Sequence, residues 1–233
     1  MSNKVKSFKI DNSSIELFLV DKLSRYKKIA YFTNNENYQT KLKTNLLRID
    51  PKLNIIVFPS IDCDFFSNLS PTPANKAKRI SALQNLTFLD SKKTIFLSSL
   101  KALVTKTIES NLIENYNFTL TSNTSLNYEQ ILDFIDKAGY EKVDFVINKG
   151  EYSTRGEVLD IFSPIHQYPL RVLFDFDKVE SLHFFSTDDQ LSIKPTIKYS
   201  LCLSSEFQFN KDNIECFRTL FRKLKLTNKD DYY

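Results

Sequence analysis

The sequence predicts an α/β chain in which a domain with a mostly parallel sheet is followed by an α+β domain with an antiparallel sheet. Two patterns predict this class. Over the first ~115 residues, segments with helical spacing of apolar residues alternate with short apolar runs, as in strands buried on both faces of a parallel sheet. From Val143 onward, short strand-like segments follow one another with turns between them, which is typical of an antiparallel meander.

The first domain is predicted over residues 1–116. Apolar residues recur at helical spacing in three long segments and one short segment, which we interpret as helices at 15–28, 34–47, 74–89 and 100–108. The apolar runs between them predict strands at 29–33, 54–58 and 94–98.

The second domain is predicted over residues 117–203. After an extended segment at 118–126 comes a helix at 128–138, with Asn127 as its N-cap and Gly139 as a left-handed C-cap. Strands are then predicted at 143–147, 151–155, 157–162, 169–176, 178–185 and 193–203. Residues 204–233 contain a further helical segment around 214–224. We interpret them as the truncated start of a segment that returns to the first domain.

Composition excludes several classes of protein. The net charge of +4 is spread without a Lys/Arg-rich block, which is too mild to indicate nucleic acid. Three cysteines lie far apart, as expected of free thiols rather than disulfides or metal ligands. The N-terminus lacks an apolar signal segment, and no apolar run approaches the ~20 residues of a membrane span. We therefore expect a soluble cytoplasmic protein.

The sequence indicates no nucleotide, metal or catalytic site either. A phosphate-binding loop needs glycines after the first strand, but the first glycine of the chain is Gly139. His166 and His183 have no Cys or His neighbours at metal-ligand spacing. We predict no nucleotide, no metal, no cofactor and no catalysis.

Two arginines are the strongest candidates for a binding site. The chain has seven arginines against 25 lysines, and its three glycines, at 139, 150 and 156, lie in or just before the stretch Gly150–Phe162 that contains Arg155. In the strand Pro169–Phe176, alternation places Leu170, Val172, Phe174 and Phe176 in the core and Arg171, Leu173 and Asp175 on the other face. If the two strands share a sheet, Arg155 and Arg171 form one patch of the kind found at protein interfaces. The alternative is two unrelated surface arginines.

Residues 137–189 resemble the second domain of the bacterial transcription-repair coupling factor (Mfd), a domain shared with the excision-repair helicase UvrB. The resemblance is carried by short motifs: Ala138-Gly139-Tyr140, Gly150-Glu151-Tyr152, Thr154-Arg155-Gly156, Leu159-Asp160-Ile161-Phe162, Pro169 with Arg171, and Val179-Glu180-Ser181-Leu182. In the first domain, Phe58-Pro59, Ser70-Pro71 and Arg79-Ile80-Ser81-Ala82-Leu83 are similar to the family's loop and helix.

The resemblance implies a degenerate, RecA/UvrB-like first domain without a P-loop, because the coupling factor has lost the nucleotide site that UvrB keeps. It implies that the second domain docks UvrA, with Arg155, Arg171, Phe174 and position 175 on the docking surface. RNA polymerase and DNA would be contacted only by other domains of the coupling factor, including its ATP-dependent motor, which we expect this chain to lack. The chain is then either a fragment or a naturally short protein.

One position departs from the family. The family commonly has a second aromatic residue four places after the strand arginine, where this chain has Asp175. Strand parity places Asp175 on the same face as Arg171, where it could pair with that arginine and remove an apolar anchor. Such a replacement costs on the order of 2 kcal/mol of binding free energy.

Three functions follow from these features. The first is a non-catalytic module of nucleotide-excision repair that docks UvrA. The alternative is a UvrB-type helicase fragment that contributes to ATP-dependent DNA opening, which tight nucleotide binding would indicate. The third is a DNA-binding surface built from dispersed lysines, whose affinity would fall steeply with salt.

Overall fold

The computed structural model describes residue 9, residue 11, and residues 14–64, 69–89, 92–122, 127–176 and 178–206, together with residues 214, 215, 218, 219 and 222. The chain divides into two compact units, Met1–Thr107 and Ile108–Tyr233. The short helix Ser110–Asn115, which the predicted boundary at 116 assigned to the first domain, groups with the second unit. The predicted returning segment 204–233 lies largely outside the described residues.

The first unit contains a three-stranded parallel sheet, as the alternation of helices and apolar strands predicted. Its elements are α1 (Ile15–Arg25), β1 (Lys28–Thr33), α2 (Glu36–Ile49), β2 (Asn54–Phe58), α3 (Pro73–Thr87), β3 (Thr94–Ser99) and α4 (Leu100–Leu103). The strand order is β1-β3-β2, so β3 lies in the middle and is the most completely buried strand. Leu42 and Leu46 of α2 pack against Ile95 and Leu97 of β3 in the main core of this unit.

The second unit contains a six-stranded sheet that is largely an antiparallel meander. Its elements are α5 (Ser110–Asn115), β4 (Phe118–Thr121), α6 (Tyr128–Lys137), β5 (Glu141–Lys142), β6 (Glu151–Arg155), β7 (Val158–Ile161), β8 (Leu170–Asp175), β9 (Lys178–Phe185), β10 (Ser192–Pro195) and β11 (Lys198–Leu201). The order in the large sheet is β10-β9-β8-β7-β6-β5, and only the pairing of β5 with β6 is parallel.

The single predicted strand 193–203 was wrong, because the structure divides it between two sheets. Its first part, β10, is an edge strand of the large sheet and ends at Pro195. Proline has no N–H group and cannot continue a ladder inside a sheet. The second part, β11, pairs with β4 instead and buries Tyr199 and Leu201.

Helix α6 covers one face of the large sheet. Tyr128 of α6 packs on Phe174 of β8, and Asp136 of α6 accepts a hydrogen bond from Tyr152 of β6. Residues fully buried on α6 and on this sheet face are Ile131, Ile135, Leu159 and Val172. The predicted N-cap is confirmed, since Asn127 and Gln130 form a reciprocal capping box. Gly139 has a φ of 81°, which confirms the predicted left-handed turn after the helix.

The predicted strand 143–147 was also wrong. The regular strand β5 covers only Glu141 and Lys142, and the chain then leaves the sheet. Several backbone groups of the following loop bond to side chains instead of a neighbouring strand. Ser153 and Gln190 donate to the carbonyls of Asp144 and Val146. Val146 is fully buried at the centre of this loop.

Gly150 occupies a position that other residues adopt only with strain, since its φ is 90°. A Cβ there would lie 3.4 Å from Cβ of Ser204. Gly156, with a φ of 58°, has open space around it. We therefore expect Gly150→Ala to lower the free energy of unfolding by about 1–2 kcal/mol, and by more than Gly156→Ala does. Urea unfolding of both variants checks this, and an equal or larger loss for Gly156→Ala would contradict it.

None of the helices in the described part of the chain is long and apolar enough to cross a membrane.

Candidate functional site

Asp160 brings the two predicted arginines together. It lies in β7 between the strands that carry them, with its side chain only 1% exposed. Arg171 forms a bidentate pair with it, through Nε to Oδ1 at 2.7 Å and Nη2 to Oδ2 at 2.8 Å. Arg155 donates from Nη2 to Oδ2 at 3.0 Å. One buried carboxylate is thus shared by two guanidinium groups, an arrangement that we call the Arg-Asp-Arg cluster.

Arg171 is the structural member of this cluster. Its side chain is 19% exposed, and its third nitrogen, Nη1, donates to the backbone carbonyl of Gln190 at 3.0 Å. Gln190 has a left-handed backbone, with a φ of 61°, at the turn that precedes β10. The hydrogen bonds that Arg171 donates to Asp160 raise the pKa of Arg171, against the effect of burial. Three of its five N–H groups are thus bonded within the protein.

Arg155 is the member that faces solvent. Its side chain is 48% exposed, and within the described part of the chain only Nη2 has a hydrogen-bond acceptor. Its guanidinium carbon lies 5.3 Å from the centre of the Phe145 ring. The two positive charges of the cluster face one negative charge, so a net charge of +1 remains. Because Arg155 is much more exposed than Arg171, that excess is displayed mainly at Arg155.

The face of the sheet opposite α6 presents these residues as one surface. Arg155 is opposite Val158, and Val158 is opposite Leu173 on the next strand. Residues directly opposite each other share a face, as do residues two apart on one strand. We call the surface formed by Arg155, Val158, Arg171, Leu173 and Asp175 the docking face. Val158 and Leu173 are half-buried, which makes the docking face partly apolar.

Asp175 does not pair with Arg171, contrary to our expectation. The two residues are on the same face, but four residues of strand separate them by about 13 Å. Asp175 is exposed at the end of β8 and is opposite Lys178. The charge of Arg171 is met by Asp160 instead. Asp175 therefore lies at the margin of the docking face and leaves the Arg-Asp-Arg cluster intact.

The aromatic residues beside Asp175 are placed differently from the sequence prediction. Phe174 is buried on the α6 side, where its ring packs edge-to-face on Tyr128 at 4.9 Å. The docking face therefore excludes Phe174. Phe176, predicted to be core, is 84% exposed because it adopts a left-handed turn, with a φ of 54°, between β8 and β9.

His166 packs against β11 of the second unit. The ring of His166 stacks on Tyr199 at 3.9 Å, and its Nε2 accepts the backbone N–H of Ser200 at 3.0 Å. Burial lowers the pKa of His166, which favours the neutral ring that can accept this hydrogen bond. The Tyr199 hydroxyl accepts from the Ser163 backbone and donates to the Tyr168 carbonyl.

In the first unit, a carboxylate occupies the place where an α/β sheet would bind phosphate. Ligands of such sheets bind beyond the carboxyl ends of the strands, at helix N-termini. Glu36 is the first residue of α2, and its Oε1 accepts the Ser60 backbone N–H at 2.9 Å and the Ser99 hydroxyl at 2.7 Å. These two residues follow β2 and end β3. A phosphate here would be repelled by Glu36.

Sequence reasoning missed Asp160 and Phe145 as members of the site. Asp160 was noted only as part of a family motif. However, it is a single carboxylate in the otherwise apolar run Val158–Ile161, and a buried aspartate is rare unless it is paired. Its position opposite Arg171 was not readable, because the register of β7 and β8 decides which residues are opposite each other. Phe145 carried no signal, because its exposure depends on the loop that replaces the predicted strand 143–147.

This chain is similar to known proteins, both within its second unit and over most of its length. Residues 118–207 match the family model described as the UvrB interaction domain. Three relatives, each named transcription-repair-coupling factor, are similar over most of the chain. The identity is 27% over 67% of this chain for Escherichia coli K12, 27% over 79% for Haemophilus influenzae Rd and 26% over 89% for Borreliella burgdorferi B31. These matches confirm the resemblance to the N-terminal region of the coupling factor.

The chain spans only a small part of these relatives. It covers 14% of the Escherichia coli protein, 16% of the Haemophilus influenzae protein and 18% of the Borreliella burgdorferi protein. The matched region is thus less than a fifth of each relative.

Proposed function

We propose that this chain is a non-catalytic protein-binding module of nucleotide-excision repair that docks UvrA, as part of a transcription-repair coupling factor or derived from one. The first unit serves in this proposal as a degenerate, nucleotide-free RecA/UvrB-like domain. Contacts with RNA polymerase and DNA belong to other parts of a coupling factor.

The Arg-Asp-Arg cluster is the observation that carries this proposal. Arg155 and Arg171 were selected from the sequence, and they lie on one face of one sheet. A buried carboxylate holds both guanidinium groups in place, so binding costs little further side-chain entropy. At protein interfaces a few residues contribute most of the binding energy, and arginine is enriched among them. Arg155 is such a residue, half exposed and beside apolar side chains. The match of residues 118–207 to the UvrB interaction domain supports UvrA as the partner.

Replacing Arg155 with alanine tests the proposal most cleanly. We expect Arg155→Ala to weaken binding to UvrA by about 30-fold, since truncating a central arginine costs about 2 kcal/mol or more. The fold should be retained because the side chain is half exposed and Asp160 keeps its bidentate pair with Arg171. Isothermal titration calorimetry with UvrA from the same organism measures the effect.

Arg48→Ala is the matched control, because Arg48 is an exposed arginine on α2 in the first unit. It should leave the dissociation constant within about twofold of wild type. The proposal is wrong if the wild-type chain does not bind UvrA, or if the two variants bind alike. Tight binding of ATP would instead favour the UvrB-type helicase fragment. Steeply salt-dependent binding of DNA would favour the lysine surface.

A further inference from the structure

The loop 143–149 presents two apolar side chains to solvent, and one of them, Phe145, lies next to Arg155. Phe145 is 56% exposed and Ile147 is 59% exposed. Between them, Val146 is fully buried in a small cluster with Phe162 and Phe185. The loop thus has an inner residue that anchors it and two outer apolar residues on either side.

The loop is held firmly although it forms no strand. The carboxylate of Glu151 accepts the backbone N–H groups of Ile147 and Asn148 at 2.8 and 2.7 Å. The carbonyls of Asp144 and Val146 accept hydrogen bonds from Ser153 and Gln190 at 3.0 and 3.2 Å. Because backbone groups on both sides of Phe145 are bonded, the loop displays Phe145 in a preformed position. Ordering the loop on binding therefore costs little entropy.

A shallow depression of about 580 Å³ lies between this loop and β6. Phe145 and Arg155 line it, together with Lys142, Asp144 and Thr154. It exists because β5 is only two residues long and pairs with Glu151 and Tyr152, which leaves the end of β6 uncovered by β5. Lys142 and Asp144 offset each other, so the net charge of +1 of the Arg-Asp-Arg cluster remains at the depression.

We propose that Phe145 and the depression beside it extend the docking face. An apolar side chain of UvrA enters the depression, next to an acidic side chain of UvrA that pairs with Arg155. This inference rests on the proposed function. Three observations support it: the Phe145 ring is continuous with Arg155, the loop is preformed, and the excess positive charge favours an acidic partner. Phe145 also gives the docking face an exposed aromatic ring, whereas position 175 has a carboxylate in place of the family's aromatic residue.

Truncation of Phe145 tests this inference by titration with UvrA. Phe145→Ala should raise the dissociation constant about tenfold, and Phe145→Leu, which keeps an apolar side chain, should raise it less. Phe88→Ala is the matched control, since Phe88 is an exposed phenylalanine that follows α3 in the first unit. It should change the dissociation constant by less than about twofold.

Combining Phe145→Ala with Arg155→Ala should weaken binding by less than the product of the two single effects, because the ring packs on the guanidinium. The inference is overturned, with the proposed function intact, if Phe145→Ala binds UvrA as wild type while Arg155→Ala is weakened. Failure of the wild-type chain to bind UvrA overturns both. A homodimer that Phe145→Ala dissociates, seen by analytical ultracentrifugation, would assign the depression to a second copy of the chain and also overturn it.

Discussion

Asp160→Asn is expected to lower the free energy of unfolding by about 3–5 kcal/mol, because it removes the only negative charge between two guanidinium groups. Asparagine has nearly the same shape, so packing changes little. However, its amide carries one acceptor oxygen where the carboxylate has two, and Arg171 is too buried to regain full hydration. Urea unfolding measures the loss, and hydrogen exchange locates it in β6, β7 and β8.

Two comparisons isolate the charge of Asp160. Asp188→Asn alters an exposed carboxylate of the same unit and should cost less than about 0.5 kcal/mol. Asp160→Leu combined with Arg171→Met removes the buried pair as a whole and should recover much of the stability that Asp160→Asn loses. The cluster is not the stabilising unit we describe if Asp160→Asn unfolds within 1 kcal/mol of wild type.

Glu36→Gln is expected to destabilise the first unit by about 2–3 kcal/mol at pH 7, since it weakens two charge-assisted hydrogen bonds at the carboxyl edge of the sheet. The effect should depend on pH. Burial opposes ionisation of Glu36, but hydrogen bonds from Ser60 and Ser99 and the charge of Lys101 outweigh it, so its pKa lies below the ordinary value of 4.5. The stabilisation is therefore fully present above the ordinary pKa and is lost as the pH falls through the lowered folded-state pKa.

The measurement is the difference in unfolding free energy between wild type and Glu36→Gln at pH 7 and at successively lower pH. The difference should shrink once the pH is below 4.5. Asp21→Asn, at an exposed carboxylate on α1, serves as the control and should have a small effect throughout. A difference that stays constant down to the lowest pH would show that Glu36 acts through its shape rather than its charge.

Several elements with a strong local pattern were predicted within one or two residues, although the helices predicted at 15–28 and 100–108 end earlier, at Arg25 and Leu103. The apolar run Asn54–Phe58 is β2, and the alternating run Lys178–Phe185 is β9. Asn127 caps α6 as its position before a helical pattern indicated, and Gly139 takes the left-handed turn. In each case the residues that determine the conformation are neighbours along the chain, so the sequence alone predicts the element.

Elements whose partners are distant were predicted less well. The predicted strand 143–147 fails because its backbone bonds to the side chains of Ser153 and Gln190, which the sequence does not connect with it. The predicted strand 193–203 fails because its second half pairs with β4, some eighty residues earlier in the chain. A hydrophobic pattern predicts that a segment is extended, but it does not select the strand with which the segment pairs.

For the candidate site, the sequence by itself determined that Arg171 faces away from the core, since alternation along a strand is a local property of the backbone. Only the tertiary structure decided what surrounds each arginine. The register of β6, β7 and β8 places Asp160 between Arg155 and Arg171, and largely buries Arg171 while leaving Arg155 half exposed. That division of roles depends on contacts between residues up to nineteen positions apart, and three strands must be in register before it exists.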